Sequence, residues 1–420
     1  MRYLLTLAIK SAWNRKLTLG LTLISLTLSV ALLLGVERVR QQAQESFSQS
    51  VSGTDLIVGA RTSPIQLMLY SVFHIGDATN NIRWHAYLDL AADPNIAWTI
   101  PISLGDSHHG FPVLGTTQNY FAHFHYGDAQ PLAFTAGKPF INLYDAVIGA
   151  EVAEHLHYKL GDHITLSHGT GEVGLTEHAD KPFTIVGILA RSGTPVDRTV
   201  HVSLEAIEAI HLDWQGGAKM RGFDIPAAFA HKFDLTPKEV TAILIGLKSR
   251  AAVFKMQRSV NNYEAEPLLA VLPGVALDQL WQVVGVAERA LLAVSAMVVG
   301  VGLCGLVAVI LASLNERRRE LAILRSVGAS PRHVLLLLSA EGFFVTLCGV
   351  LAGILLLTAL SALLAPLLQA HYGLTITPRL IAPDELGLLG MVIGVSLLAS
   401  LAPGYGAYRL SLSDGLTPRI

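Results

Sequence analysis

Charge is scarce in this chain. Asp, Glu, Lys and Arg together make up 15% of its 420 residues, where a soluble globular domain carries roughly 25%. The two signs nearly cancel, to a net charge of -2, which leaves no electrostatic case for a nucleic-acid partner. Cysteine is scarcer still. Cys304 and Cys348 are the only two, and both lie in apolar runs, so the long central region has no disulfide. At roughly 240 residues that region is large enough to bury a core without staples. No G-x-x-x-x-G-K-[ST] occurs, so the chain lacks the phosphate cradle of an ATPase. There is also no HExxH, no Cys-His zinc spacing, and no paired Asp or Ser–Lys arrangement in the apolar runs. These absences argue against an intramembrane protease or another enzyme.

What the chain has instead is apolar length. Hydrophobic residues make up 51% and the mean hydropathy is +0.48. A membrane-spanning helix needs about 20 apolar residues to cross roughly 30 Å. Four uncharged runs qualify: residues 17–36, 290–314, 342–370 and 386–408, the third extended by 334–340 on the other side of Glu341. Buried helices of a soluble protein would show a polar face, and these do not. The basic start (Arg2, Lys10, Arg15, Lys16) raises the alternative of a cleaved signal peptide. The first run is too long for one, and Glu37-Arg38-Val39-Arg40 is no small-residue cleavage site, so a retained anchor is expected.

Orientation follows from basic residues in short loops. The N-terminal segment is basic, and Arg317, Arg318, Arg319, Arg325 and Arg332 lie between the second and third runs. The next loop has only Arg379 beside Asp384 and Glu385. The expected layout is a cytoplasmic segment 1–16, a span 17–36, an outer domain 37–288, a span 289–314, a cytoplasmic loop 315–333, a span 334–370, a short outer loop 371–385, a span 386–408 and a cytoplasmic tail 409–420. The fold class expected is an α-helical membrane protein with four transmembrane helices plus a large mixed α/β extracytoplasmic domain on helical stalks. The stalks are residues 37–50, polar and free of Gly and Pro, and residues 277–288. Between them, strands are expected at 55–58, 111–115, 146–149, 163–166, 183–189 and 199–203. Helices are expected at 64–73, 151–159 and, capped by Ser203, 204–210. That order suggests two small α/β lobes.

The loop after the second span carries ERRRELAILRSVGAS, residues 316–330. Helix formers run unbroken to Val327. Gly328 sits where a helix C-terminus wants a residue tolerant of positive φ, and Ser330-Pro331 reads as the cap and first turn of the next helix. A positive-inside loop on lipid headgroups would explain the arginines, but not so ordered a helix-turn-helix. Glu316, Arg317, Glu320, Leu324, Arg325 and Gly328, followed by Ala329-Ser330, resemble the coupling-helix signature of the FtsX-like permease family, which includes the MacB-like macrolide-exporter and lipoprotein-release types. Leu321-Ala322 departs mildly from the Ile-Gly usual there. SGTDLIVGA (52–60), VLGTTQNYF (113–121), AVIGAEVAEHLHYKLGDHITL (146–166), FTIVGIL (183–189), AEGFFVTLCGVLAG (340–353) and AYRLSLSDGL (407–416) resemble further family segments in family order. Gly349 and Gly353 have the small-xxx-small spacing of close helix packing.

The resemblance implies an ABC transporter permease of the bacterial inner membrane, with both termini cytoplasmic and no ATPase activity of its own. It implies a separate cytoplasmic ABC ATPase subunit that carries the ATP and Mg, and a second permease copy as homodimer or related heterodimer. It further implies mechanotransmission: ATPase motion enters through the coupling helix at Glu316, Arg317, Glu320, Leu324, Arg325 and Gly328 and reaches the outer domain. The work done there is export or extraction of a lipoprotein, peptide, toxin or lipid, or a metal-linked task with a periplasmic protein. An alternative is a regulator that relays ATPase state to a cell-wall hydrolase. Fourteen of the sixteen histidines fall between His74 and His231. His108, His109, His123 and His125 are the densest candidates for zinc or copper. His123 and His125 would share a face if the segment were a strand. Solvated surface histidines are the plainer alternative.

Overall fold

The computed structural model describes residues 16–409, apart from residues 51, 77, 170–175, 216–217, 220–224, 317–322, 324–325, 327, 329 and 373–378. It divides into a helical unit, built from the chain up to Gln42 and from Gly285 onward, and an α/β unit of Ala43–Val284 with Ala370–Thr375. The helices, in chain order, are α1 (Lys16–Gln49), α2 (Pro64–Val72), α3 (Trp84–Ala91), α4 (Asn119–His123), α5 (Ala150–His155), α6 (Leu204–His211), α7 (Val253–Asn261), α8 (Pro273–Glu316), α9 (Pro331–Tyr372) and α10 (Glu385–Arg409).

Four of them, α1, α8, α9 and α10, are long and apolar enough to cross a membrane. At 34 residues, α1 is about 51 Å long, well beyond the roughly 30 Å of a hydrocarbon core. Its polar continuation past residue 36 is part of the same unbroken helix. In the helical unit one apolar cluster joins Leu26, Val30 and Leu34 of α1 to Leu303, Leu306 and Ile310 of α8, Leu338, Val350 and Ile354 of α9, and Leu389 and Val392 of α10. The small-residue spacing has a direct use. A Cβ on Gly349 would come within 2.8 Å of Leu26, and one on Gly353 within 3.0 Å of the Thr27 carbonyl. Bare backbone at both positions lets α9 lie close against α1. Polar contacts add to this: the Thr346 hydroxyl meets that of Ser396 on α10, and Ser29 Oγ reaches the Val298 carbonyl at 3.3 Å.

The α/β unit is built on one mixed twelve-stranded sheet. Its strands are β1 (Leu56–Ala60), β2 (Ile96–His108), β3 (Phe111–Thr116), β4 (Phe134–Gly137), β5 (Asp145–Ile148), β6 (His163–Ile164), β7 (Ser167–His168), β8 (Thr176–Glu177), β9 (Phe183–Leu189), β10 (Val200–Ser203), β11 (Ala242–Leu247) and β12 (Leu268–Val271). The main path runs β12-β1-β11-β2-β3-β10-β5-β9-β4, with β7 pairing β2 and β8, and β6 pairing β9. The two expected lobes are therefore not separate sheets. The thirteen-residue β2 pairs with β11 along its first half and with β3 along its second, so the ladder never breaks.

Helices pack on this sheet through apolar faces. Ser63 Oγ accepts the Gln66 N–H at 3.3 Å and starts α2; Ser203 Oγ accepts the Ala206 N–H at 3.1 Å and starts α6, as its N-cap position predicts. The helix expected over 151–159 is shorter. It ends at His155, and His157 takes φ of +58°, which a continuing helix cannot contain.

Candidate functional site

Two regions matter, the loop between α8 and α9 and the histidine-rich part of the α/β unit. In the loop, Glu316 is the last residue of α8. Arg317, Glu320, Leu324 and Arg325 lie outside the described residues. Gly328 has φ of +102°, the left-handed conformation that glycine adopts without strain at a helix end. Pro331 opens α9. Ser330 donates its hydroxyl to His333 Nδ1 at 2.6 Å, and its backbone N–H reaches the same nitrogen at 3.2 Å. His333 thus takes the place that Glu or Gln holds in a capping box, a role its sequence position alone did not suggest.

The four histidines singled out by density do not converge. His108 is buried, with Nδ1 at 2.6 Å from the Thr165 carbonyl and Nε2 at 3.0 Å from the Tyr158 hydroxyl, so both nitrogens are already used. His109 sits in the β2–β3 turn with φ of +47°, its ring edge-on to His108. His123 ends α4 and stacks on Trp98 with ring centroids 5.4 Å apart. His125 donates Nδ1–H to the His123 carbonyl at 2.7 Å. His123 and His125 do not share a strand face, because the helix runs through His123.

A different set does converge. Asp106, His168, His178 and His211 each bring one ligand-capable atom within 4.8 Å of all the others. Asp106 follows a bulge in β2, where pairing with β3 shifts register between Leu104 and Asp106. Gly105, between them, has φ of +151°, open to glycine because it lacks a Cβ. β7 pairs against the same stretch and sets His168 opposite Asp106. That pairing is locked by Gly169 N–H to the Gly105 carbonyl at 2.9 Å and Ser107 Oγ to the Gly169 carbonyl at 2.7 Å. His178 follows β8 and anchors its N–H on the Leu166 carbonyl at 2.8 Å. His211 is the last residue of α6.

Nδ1 of His168 lies 3.2 Å from Asp106 Oδ1. Nε2 of His211 lies 3.3 Å from His168 Nδ1 and 3.7 Å from Asp106 Oδ1. The Asp106 carboxyl is buried, and among the described residues no Lys or Arg pairs with it. His211 Nδ1 faces the Ile207 carbonyl at 2.8 Å. A carbonyl only accepts, so Nδ1 carries a hydrogen, and Nε2 is the nitrogen turned to the cluster. His178 is fully buried and, among the described residues, neither ring nitrogen has a hydrogen-bond partner. An unpaired buried polar group of this kind costs about 1–3 kcal/mol. Burial, with His211 adding, pushes the His178 pKa down to about 4, whereas the hydrogen bond to Asp106 holds His168 above its ordinary value.

The surrounding residues fix the cluster. Lys181 donates to Asp213 in a fully buried ion pair and reaches the Ile210 carbonyl at 3.4 Å, while its own N–H bonds the His178 carbonyl at 3.1 Å. The turn holding His178 is thus tied to the end of α6. Trp214 packs its ring 4.3 Å from that of His178. Asp106, His168, His178 and His211 are scattered through 106 positions of sequence and match no ligand spacing. The only trace of them in the sequence is the abundance of histidine in the outer region.

A second pair of histidines, buried His201 and half-buried His74, sets an acid response. His201 is fully buried against Tyr120 and Phe121, with Nδ1–H on the Val147 carbonyl at 3.3 Å. Burial, with His74 adding, drives its pKa down to about 3, and burial takes His74 down to about 4. Both folded values lie below the unfolded value of about 6.5. The folded state therefore binds fewer protons, and stability present above pH 6.5 is lost as pH falls toward 4 and then 3. At roughly 1.4 kcal/mol per unit this amounts to several kcal/mol. Glu151 and Asp197, held above their usual values by burial, act in the opposite sense. The histidine share is thus a difference between proteins. Thermal unfolding of full-length chain in detergent from pH 7 to pH 4 is expected to lose more stability than the same series on His201→Phe. Parallel curves would contradict this.

Two family models match the chain. The MacB-like periplasmic core domain covers residues 19–263, and the FtsX-like permease C-terminal region covers residues 292–412. A curated relative, the lipoprotein-releasing system transmembrane protein LolC of Neisseria meningitidis serogroup B, is 24% identical over 312 residues, covering 69% of this chain and 69% of that protein. LolC of Xylella fastidiosa is 22% identical over 293 residues, covering 65% of this chain and 64% of its own length. Among solved structures, the periplasmic region of MacB from Actinobacillus actinomycetemcomitans aligns with 56% of this chain and 94% of its own, at 10% identity and a TM-score of 0.34.

Proposed function

The chain belongs to the FtsX-like permease family with a MacB-like periplasmic core domain, and we propose that it transmits ATP-driven motion of a separate ATPase to that domain. It is an ABC transporter permease and a multi-pass inner-membrane protein. In this reading both termini and the loop at 315–333 face the cytoplasm, and two permease copies work with two ATPase subunits. The loop helix docks on the ATPase through Glu316, Arg317, Glu320, Leu324 and Arg325, with Gly328 as its hinge. By analogy with its lipoprotein-releasing relatives, the work delivered outside is extraction of a lipoprotein or a similar membrane-anchored amphiphile.

The observation that carries this reading is α8. It is a single helix from Pro273 to Glu316, 44 residues without a break, ending where the coupling sequence begins. At about 1.5 Å per residue it is about 66 Å long. In this reading a displacement at Glu316 enters a helix and not a loop. The start of α9 adds to this, since Ser330 and His333 hydrogen-bond to each other there.

The test is docking. Wild-type chain and Glu320→Arg would be solubilised and used to recover the cognate ATPase. A reversed charge in a docked interface costs about 2–5 kcal/mol, so recovery is expected to fall at least roughly tenfold while the variant stays monodisperse. Equal recovery by both proteins would overturn the docking role.

A further inference from the structure

We propose that Asp106, His168, His178 and His211 form a binding site for one divalent transition-metal ion of the zinc class. The inference rests on the α/β unit alone and stands apart from the transport reading.

The donor chemistry comes first. Three imidazoles and one carboxylate suit Zn²⁺ and its neighbours, whereas Ca²⁺ and Mg²⁺ take oxygen ligands. Distances come next. Zinc bonds of about 2.0–2.1 Å at tetrahedral angles place ligand atoms about 3.3 Å apart. Asp106 Oδ1, His168 Nδ1 and His211 Nε2 stand at separations of 3.2, 3.3 and 3.7 Å, already one face of such a tetrahedron. The fourth ligand atom, from His178, lies within 4.8 Å of each of them and completes the figure with a small side-chain rotation.

A network of hydrogen bonds alone leaves too much unmade. His178 has no partner for either nitrogen among the described residues and is fully buried beside the other three. His211 Nε2 faces a second imidazole nitrogen at 3.3 Å and a carboxylate oxygen at 3.7 Å, the latter too long for a hydrogen bond. A cation at the centre satisfies all four groups. The outer contacts also match a metal site. His211 Nδ1–H is held by the Ile207 carbonyl, which fixes its tautomer and points Nε2 inward. The Lys181–Asp213 pair ties the turn carrying His178 to the end of α6, which carries His211. With four protein ligands the site is closed, as in structural zinc sites, and leaves no position open for catalysis. Its ligands come from β2, β7, the segment after β8 and the end of α6, so occupancy would cross-link residues far apart in sequence.

The test uses full-length chain in detergent, with any affinity tag removed, stripped by chelator and dialysed. Zinc titration followed by metal analysis is expected to give one equivalent per chain and a higher unfolding midpoint, because a ligand that binds only the folded state stabilises it. Calcium and magnesium are expected to do neither. His178→Ala and His211→Ala are expected to lose the equivalent, while the double variant His123→Ala/His125→Ala keeps it. Should the ligand variants fail to fold, cobalt added to the stripped wild type decides the question, since tetrahedral His/Asp coordination gives strong visible bands and six-coordinate cobalt only weak ones. No stoichiometric zinc, or only weak cobalt bands, would overturn the site. So would retention of the equivalent by folded His178→Ala and His211→Ala, or its loss from folded His123→Ala/His125→Ala.

Discussion

Lys181→Met is expected to lower the unfolding midpoint of the α/β unit by roughly 6–20 °C, measured on full-length chain in detergent with chelator present so that metal plays no part. Lys181 and Asp213 are both fully buried, and the ammonium donates to the carboxylate directly. Two charges taken out of water recover part of that cost from their direct contact, to which the ammonium adds the Ile210 carbonyl at 3.4 Å and the Asp180 carboxylate at 3.8 Å. Removing the ammonium takes away the direct charge partner of a buried carboxylate, at about 3–5 kcal/mol, and each kcal/mol moves the midpoint of a domain this size by roughly 2–4 °C. The double variant Lys181→Met/Asp213→Leu is expected to recover most of the loss, because well-packed apolar residues replace a buried pair at little net cost. A single variant that melts with the parent, or a double variant no better than the single, would remove the ion pair from the account.

How the histidine cluster escapes sequence reading is clear from its parts. The membrane helices were legible because each rests on local composition: twenty or more apolar residues without charge identify a span whatever surrounds them. The cap at Ser203 was legible for the same reason, since a cap involves residues three apart. Strand β9 was legible because Phe183, Ile185 and Leu189 alternate with partly exposed neighbours. The sheet itself was not. Nothing local says that Ile96–Ile102 pairs with β11 and Ile102–His108 with β3, which is what merges the expected lobes into one sheet. Asp106 and His168 meet through β2–β7 pairing across 62 positions, and His211 arrives at the end of a helix more than a hundred residues after Asp106. Dense His-His and His-x-His spacing pointed elsewhere. At those positions His108 Nδ1 and Nε2 are taken up by Thr165 and Tyr158, and His123 stacks on Trp98.

A double-mutant cycle on Arg38 and Glu385 is expected to give a coupling energy of about 2–3 kcal/mol, at the upper end of the range for contacting groups in one network. Arg38 lies on α1, and Glu385 is the first residue of α10. The guanidinium engages both carboxylate oxygens, Nε to Oε1 at 2.5 Å and Nη2 to Oε2 at 3.1 Å, and Nη2 also reaches the Leu380 carbonyl at 3.0 Å. Glu385 is fully buried, and its Oε2 accepts the Ala382 N–H at 3.1 Å. One acidic side chain therefore both holds an N–H of the segment leading into α10 and receives the fork from α1. Arg38→Met strands that carboxylate with one amide donor, and Glu385→Leu strands the guanidinium, so each single variant is expected to lose about 3–5 kcal/mol. The pair Arg38→Met/Glu385→Leu is expected to lose much less than the sum. Arg38→Lys is expected to behave nearly as badly as Arg38→Met, because an ammonium is a single point charge and cannot make the two-pronged contact. Denaturant unfolding of the four proteins in one detergent supplies the cycle. Additivity within about 0.5 kcal/mol would show that the two residues are merely adjacent. Coupling of the expected size would make this fork the joint through which α1 and α10 respond as one body.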